Sequence, residues 1–173
     1  MSLSLMKVRA CIIQADYLSP LYEHPSYVLY PMNVLAFGPP GRLNKRGVSE
    51  QGDTNVSVVV SSVMTGFSLK GTLGDPTSAA RTLLRVSLAP EGSGRTATLL
   101  SAEEDSARQV YQFEYIIDRG EKGPPLQAIS AIAARNSDAV ITLTVVAPSE
   151  DWRDEEVATK LRKVANSFHA VSQ

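Results

Sequence analysis

The sequence predicts an α+β domain, a central antiparallel sheet of about six strands with helices packed against it. Three strand-like runs, Gln109 to Asp118, Leu126 to Arg135 and Ala139 to Pro148, follow one another across short polar turns, the pattern of a meander. A charged amphipathic stretch from Ser149 to Val171 comes directly after them and predicts a helix lying on one face of that sheet. Upstream, Asp75 followed by Pro76 marks the start of a second helix.

Taken in order, residues 1–26 show neither a period of 2 nor one of 3.6 and read as an irregular extension, with residues 27–173 forming the domain. Tyr27 to Phe37 is rich in Val, Leu and Tyr, but Pro31 cannot donate to a ladder and splits the run or places it at an edge. Gly38 to Asp53 is a long loop of Gly, Pro and charge. Asn55 to Met64 has almost no polar side, which predicts a central strand covered on both faces. Ala80, Leu83, Leu84 and Leu88 share one face of the Asp75 helix, which ends before Pro90. Arg95 to Asp105 is a strand running into an acidic turn.

In the next strand Tyr111, Phe113, Tyr115 and Ile117 point one way, a large-residue layer beneath a helix, while Val110, Gln112, Glu114 and Ile116 point the other. Gly120 to Pro125 and Asn136 to Asp138 have hairpin chemistry. The last helix is expected to bury Val157, Leu161, Val164, Ala165 and Phe168. Its acids, Asp154 to Glu156, stand at the N-terminus and its cations, Lys160, Arg162 and Lys163, toward the C-terminus, in keeping with the helix dipole.

With 173 residues, 43% of them hydrophobic and 20% charged, the composition is globular. A net charge of −1 gives no whole-chain attraction to nucleic acid or anionic lipid. The single Cys11 forms no intramolecular disulfide and offers no zinc pattern. No apolar run reaches the ~18 residues of a membrane span. The first residues lack a secretory h-region, so either the chain is soluble and intracellular or a targeting segment has been removed.

Chemistry is sparse. His24, His169 and Cys11 have no neighbouring motif that would orient them for catalysis, and the expectation is that the protein is not an enzyme and carries no cofactor. Two acidic groups, Glu103 to Asp105 and the run Glu150, Asp151, Asp154, Glu155 and Glu156, lack the alternating spacing of a calcium loop. They read more simply as a solvated turn and a helix start, so no metal site is expected. Gly38 to Gly41 and Gly92 to Gly94 lack the strand-to-helix context of a phosphate cradle. Trp152 is expected to seal the junction of the last strand and the last helix, with an exposed partner contact as the competing reading. The candidate partner-binding residues are Arg42, Lys45 and Arg46, three cations in the Pro-rich loop suited to an acidic surface, although a solvated loop is the plainer reading.

Five strings in consistent order resemble the PsbP-domain family of the thylakoid lumen: Asn55 to Val60, Gly74 to Leu84, Val110 to Asp118, Ala128 to Trp152 and Val164 to Val171. The likeness covers about residues 53 to 171. The front departs from it, because the Trp of the family's opening strand is missing. The resemblance implies an α/β/α sandwich and a lumenal accessory protein, peripheral to the membrane, that binds a photosynthetic complex. That complex would be photosystem II at its oxygen-evolving side, photosystem I or the chloroplast dehydrogenase. The founding member's retention of calcium and chloride depends on an N-terminal segment that this chain does not reproduce. A related sandwich that binds a Ran-type GTPase is the alternative.

Overall fold

The computed structural model describes residues 33–37, 53–135 and 139–169. Six strands make one antiparallel sheet: β1 (Asn33–Phe37), β2 (Asn55–Ser62), β3 (Thr96–Asp105), β4 (Val110–Asp118), β5 (Leu126–Arg135) and β6 (Ala139–Pro148). Their spatial order is β1-β2-β6-β5-β4-β3. The meander β3 to β6 pairs each strand with the next, and β2 adds to the free side of β6 with Asn55 opposite Val146 and Ser62 opposite Ala139. Helices α1 (Pro76–Leu83) and α2 (Glu155–Asn166) lie on opposite faces. The result is the α/β/α sandwich of the sequence reading.

Strand alternation sorts the core into two layers. Tyr111, Phe113, Tyr115, Ala128 and Ile132 meet Ala79, Ala80 and Leu84 of the α1 side. Val110, Ile129, Ala131, Leu143 and Val145 meet Trp152, Ala158, Ala165 and Phe168 of the α2 side. The helices pack mainly over the meander, so β2 is not the doubly covered central strand its Val run suggested. It lies second from the edge, with only Val58 fully buried among its residues. β3 is the other edge, kinked by a bulge between Leu99 and Ser101.

Both helices are set by local chemistry. Asp75 caps α1, accepting from the backbone N–H groups of Thr77 and Ser78 at 3.0 and 3.1 Å and from the Ser78 hydroxyl at 2.6 Å. Gly74 turns the chain into this cap at a φ of 80°, and its carbonyl accepts from the Tyr111 hydroxyl at 2.9 Å. After Leu83 the helix widens through Leu84–Leu88 and stops before Pro90. Asp154 caps α2 through the N–H groups of Glu156 and Val157. At the far end Arg108, from the β3–β4 turn, donates to the carbonyls of Asn166 and Phe168 while pairing with Asp105.

The buried stripe of α2 differs from the expected one. Ala158, Leu161 and Ala165 face the sheet, Val157 is half-buried and Val164 is 39% exposed. The small alanines let the helix approach closely, and the rotation this requires turns Val164 outward. Phe168 lies past the last turn and still closes the core. Trp152 is buried in the short turn Asp151–Arg153, and its indole N–H donates to the Gln127 carbonyl at 3.0 Å.

Phe168→Ala is expected to destabilise the fold by about 3–5 kcal/mol in denaturant titration, the usual cost of deleting a buried aromatic. Trp152→Phe keeps the apolar body but removes the indole donor, so a loss of roughly 1–2 kcal/mol is expected, with Gln127 left short of a partner. Hydrogen bonds hold the Asp75 carboxyl below its ordinary value, first the Ser78 hydroxyl and then the Ser78 N–H. Asp105 is lowered by the Arg108 N–H and then by the Arg108 side chain. Carboxylates lowered in the folded state add stability that is complete above about pH 4 and fades as pH falls through their folded values. Melting temperatures of Asp75→Asn and Asp105→Asn should therefore fall less than those of the wild type below that pH.

Candidate interaction surface

Among the described residues no group of three or more His, Cys, Asp or Glu side chains converges. Asp105 is committed to Arg108, Asp154 to its cap, and Asp151 accepts from the Thr54 hydroxyl at 3.4 Å. Glu103 and Glu104 are exposed on edge strand β3. Gly92 to Gly94 lead into β3 rather than into a helix. His169 is exposed, its ring nitrogen Nδ1 3.1 Å from the Ser167 carbonyl oxygen. His24 and Cys11, like the extension expected over residues 1–26 and the loop expected at Gly38 to Gly41, lie outside the described residues.

Polar side chains at the sheet instead serve to fix the layers. On the α2 face Glu114 accepts the forked guanidinium of Arg162 at 2.8 and 2.9 Å and the Gln127 amide at 2.6 Å. The same guanidinium stands 5.4 Å from the Trp152 ring centroid. Trp152 is thus a plug whose one polar atom is bonded inward, and the competing reading of an exposed contact fails. On the α1 face the Tyr115 hydroxyl, Ser130 and Thr144 form a row of hydroxyls across β4, β5 and β6 at 2.9 and 3.1 Å. Burial pushes the Tyr115 phenol up, so it stays a neutral hydroxyl. At the open end of the β4–β5 connection Arg119 lies across Gly123, whose missing side chain leaves room for it, and forks onto Asp53 at 2.9 and 3.1 Å.

What remains for function is the outer surface. The expected partner residues Arg42, Lys45 and Arg46 fall outside the described residues, so the structure neither groups nor separates them. Among the described cations, Arg108, Arg119, Lys160 and Arg162 are paired with carboxylates. Arg81 and Arg85 of the α1 side are exposed and pair with no described carboxylate. No described helix is long and apolar enough to cross a membrane.

The fold and the sequence both have known relatives. The PsbP family model matches residues 30–170. CyanoP of Thermosynechococcus vestitus is 35% identical over 119 residues, 66% of this chain and 63% of that protein. PsbP domain-containing protein 7, chloroplastic, of Arabidopsis thaliana is 32% identical over 148 residues, 80% of this chain and 46% of that protein. The chain thus spans about half to under two thirds of the length of the curated relatives it matches. The solution structure of cyanobacterial PsbP (CyanoP) from Synechocystis sp. PCC 6803 aligns with a TM-score of 0.55 over 82% of this chain and 84% of that one, at 22% identity, a likeness of fold. With the family match running over residues 30–170, through the last helix, the chain belongs to the PsbP family.

Proposed function

We propose that this protein is a non-enzymatic accessory protein that binds a photosynthetic membrane complex from the thylakoid lumen. The observation that carries the reading is the family match over residues 30–170, supported by the shared sandwich. Residues 27–173 are the folded unit in this reading and residues 1–26 an extension to it. Photosystem II is the first candidate partner, because the founding member of the resembled family belongs there. Photosystem I and the chloroplast dehydrogenase complex stand as alternatives within the same class. Binding is surface-on-surface and electrostatic, with Arg42, Lys45 and Arg46 contributing charge. Ion retention is not part of the proposal. Among the described acids Asp75 and Asp154 cap helices and Asp53, Asp105, Glu114 and Glu156 are paired with cations, and the front of the chain departs from the family pattern.

The test is affinity capture of solubilised thylakoid membranes on the tagged full chain, with salt raised in steps. Subunits of one photosystem or of the dehydrogenase complex should co-purify at about 50 mM salt and be lost by about 500 mM, as screening shortens the reach of surface charge. Absence of all such subunits at low salt would overturn the reading and direct the search to a soluble partner such as a GTPase.

A further inference from the structure

We propose that β3 is a dimer edge: two copies of this chain join antiparallel along β3, so that one sheet runs through both. The inference stands apart from the photosynthetic partner. β3 comes last in the strand order, and no described strand pairs with its outer side. Its ten residues, Thr96 to Asp105, leave a row of backbone N–H and C=O groups open to a further strand.

Charge decides which strand fits. Arg95 stands exposed at the entrance to β3, and Glu103 and Glu104 stand exposed near its end. Arg95 pairs with no described carboxylate, and neither glutamate pairs with a described cation. Residues 96–102 between them carry no charge. An edge charged with one sign along its length repels its own copy. Here the signs are separated, so a copy running antiparallel brings each end against its opposite. A strand from another protein would need this order of signs by coincidence, whereas a second copy supplies it by symmetry.

The bulge supplies the register. It adds one residue to β3, so the face that holds Ala97 and Leu99 before it holds Ala102 after it. Glu104, opposite Tyr111, continues that face, and strand alternation places Arg95 on it two residues before Ala97. In a strand without the bulge Arg95 and Glu104 would lie on opposite faces and could not meet across an antiparallel pair. With it, Arg95 falls opposite Glu104 of the second copy, Thr96 opposite Glu103, Ala97 opposite Ala102 and Thr98 opposite Ser101. Each pairing occurs twice, as a twofold interface requires. The axis falls at the bulge, where Leu100, 47% exposed in the single chain, is covered.

The experiment follows the mass of the full chain by sedimentation from about 5 to 500 µM, at about 50 and 500 mM salt. At low salt the mass should rise with concentration to that of a dimer, and high salt should reverse this. R95E and E103R/E104R each set like charges opposite one another, so each should weaken self-association at least about tenfold at an unchanged melting temperature. Mixing the two variants restores opposite signs at both ends, and the mixture should form a one-to-one dimer about as tight as the wild type. A wild type that stays monomeric throughout would overturn the proposal. A dimer that R95E leaves intact would place the contact elsewhere, and two weakened variants that fail to associate when mixed would overturn the register that defines it. A monomeric wild type whose capture of thylakoid subunits is lost in R95E would give the edge to another protein and overturn the second copy.

Discussion

The structure depends on β5 being buried on both faces. Six consecutive residues of this strand, Ala128 to Ala133, are buried, and two helix layers converge on them from opposite sides. A strand so enclosed can hold only apolar or fully bonded side chains, since an unpaired buried hydroxyl costs about 1–3 kcal/mol. The sequence AISAIA meets the condition with alanine, isoleucine and one serine, and that serine is bonded on both sides by Tyr115 and Thr144. The alanines matter equally for shape, because they let the tyrosines and Phe113 of β4 and the small face of α2 draw close without gaps.

From this constraint the outer parts follow. The two helices must be anchored so that their positions match the sheet: the Tyr111 hydroxyl holds the start of α1 at Gly74, and cations that reach across hold α2. Arg162 ties α2 to Glu114 and lies over Trp152, while Arg108 closes the last turn of α2 from the β3–β4 turn. These pairs lie at partly exposed positions, and exposed ion pairs are generally worth ~0–1 kcal/mol each, so their importance is directional. They specify which way α2 lies on a surface that apolar packing alone would leave smooth.

How much of this was legible in the sequence depended on the range of the interaction. The meander, the Asp75 cap and Pro76, the division of β4 into Tyr111, Phe113 and Tyr115 against Val110 and Glu114, and the burial of Trp152 all rest on residues near one another in the chain, and all read correctly. The rotation of α2 did not, because hydrophobicity favours Val164 over Ala158 whereas close approach to a sheet favours the smaller residue. The place of β2 was missed for a similar reason, since a run of valines is equally suited to a strand one from the edge. The long-range bonds of Arg108, Arg119 and Arg162 gave no local signal, since they reach residues 60, 66 and 48 positions away.

The pairing of β2 with β6 also bears on how the chain is made. The meander from β3 to β6 closes through neighbouring strands and can assemble with little loop entropy. β2 is synthesised long before β6, the strand it must pair with, and Val56, Val58 and Val60 have no ladder on that side until the meander is complete. A β-rich segment waiting in this state is prone to pair with the wrong chain. The sheet is therefore completed last where β2, made early, meets β6, and the N-terminal half needs shelter during synthesis more than the half that forms first.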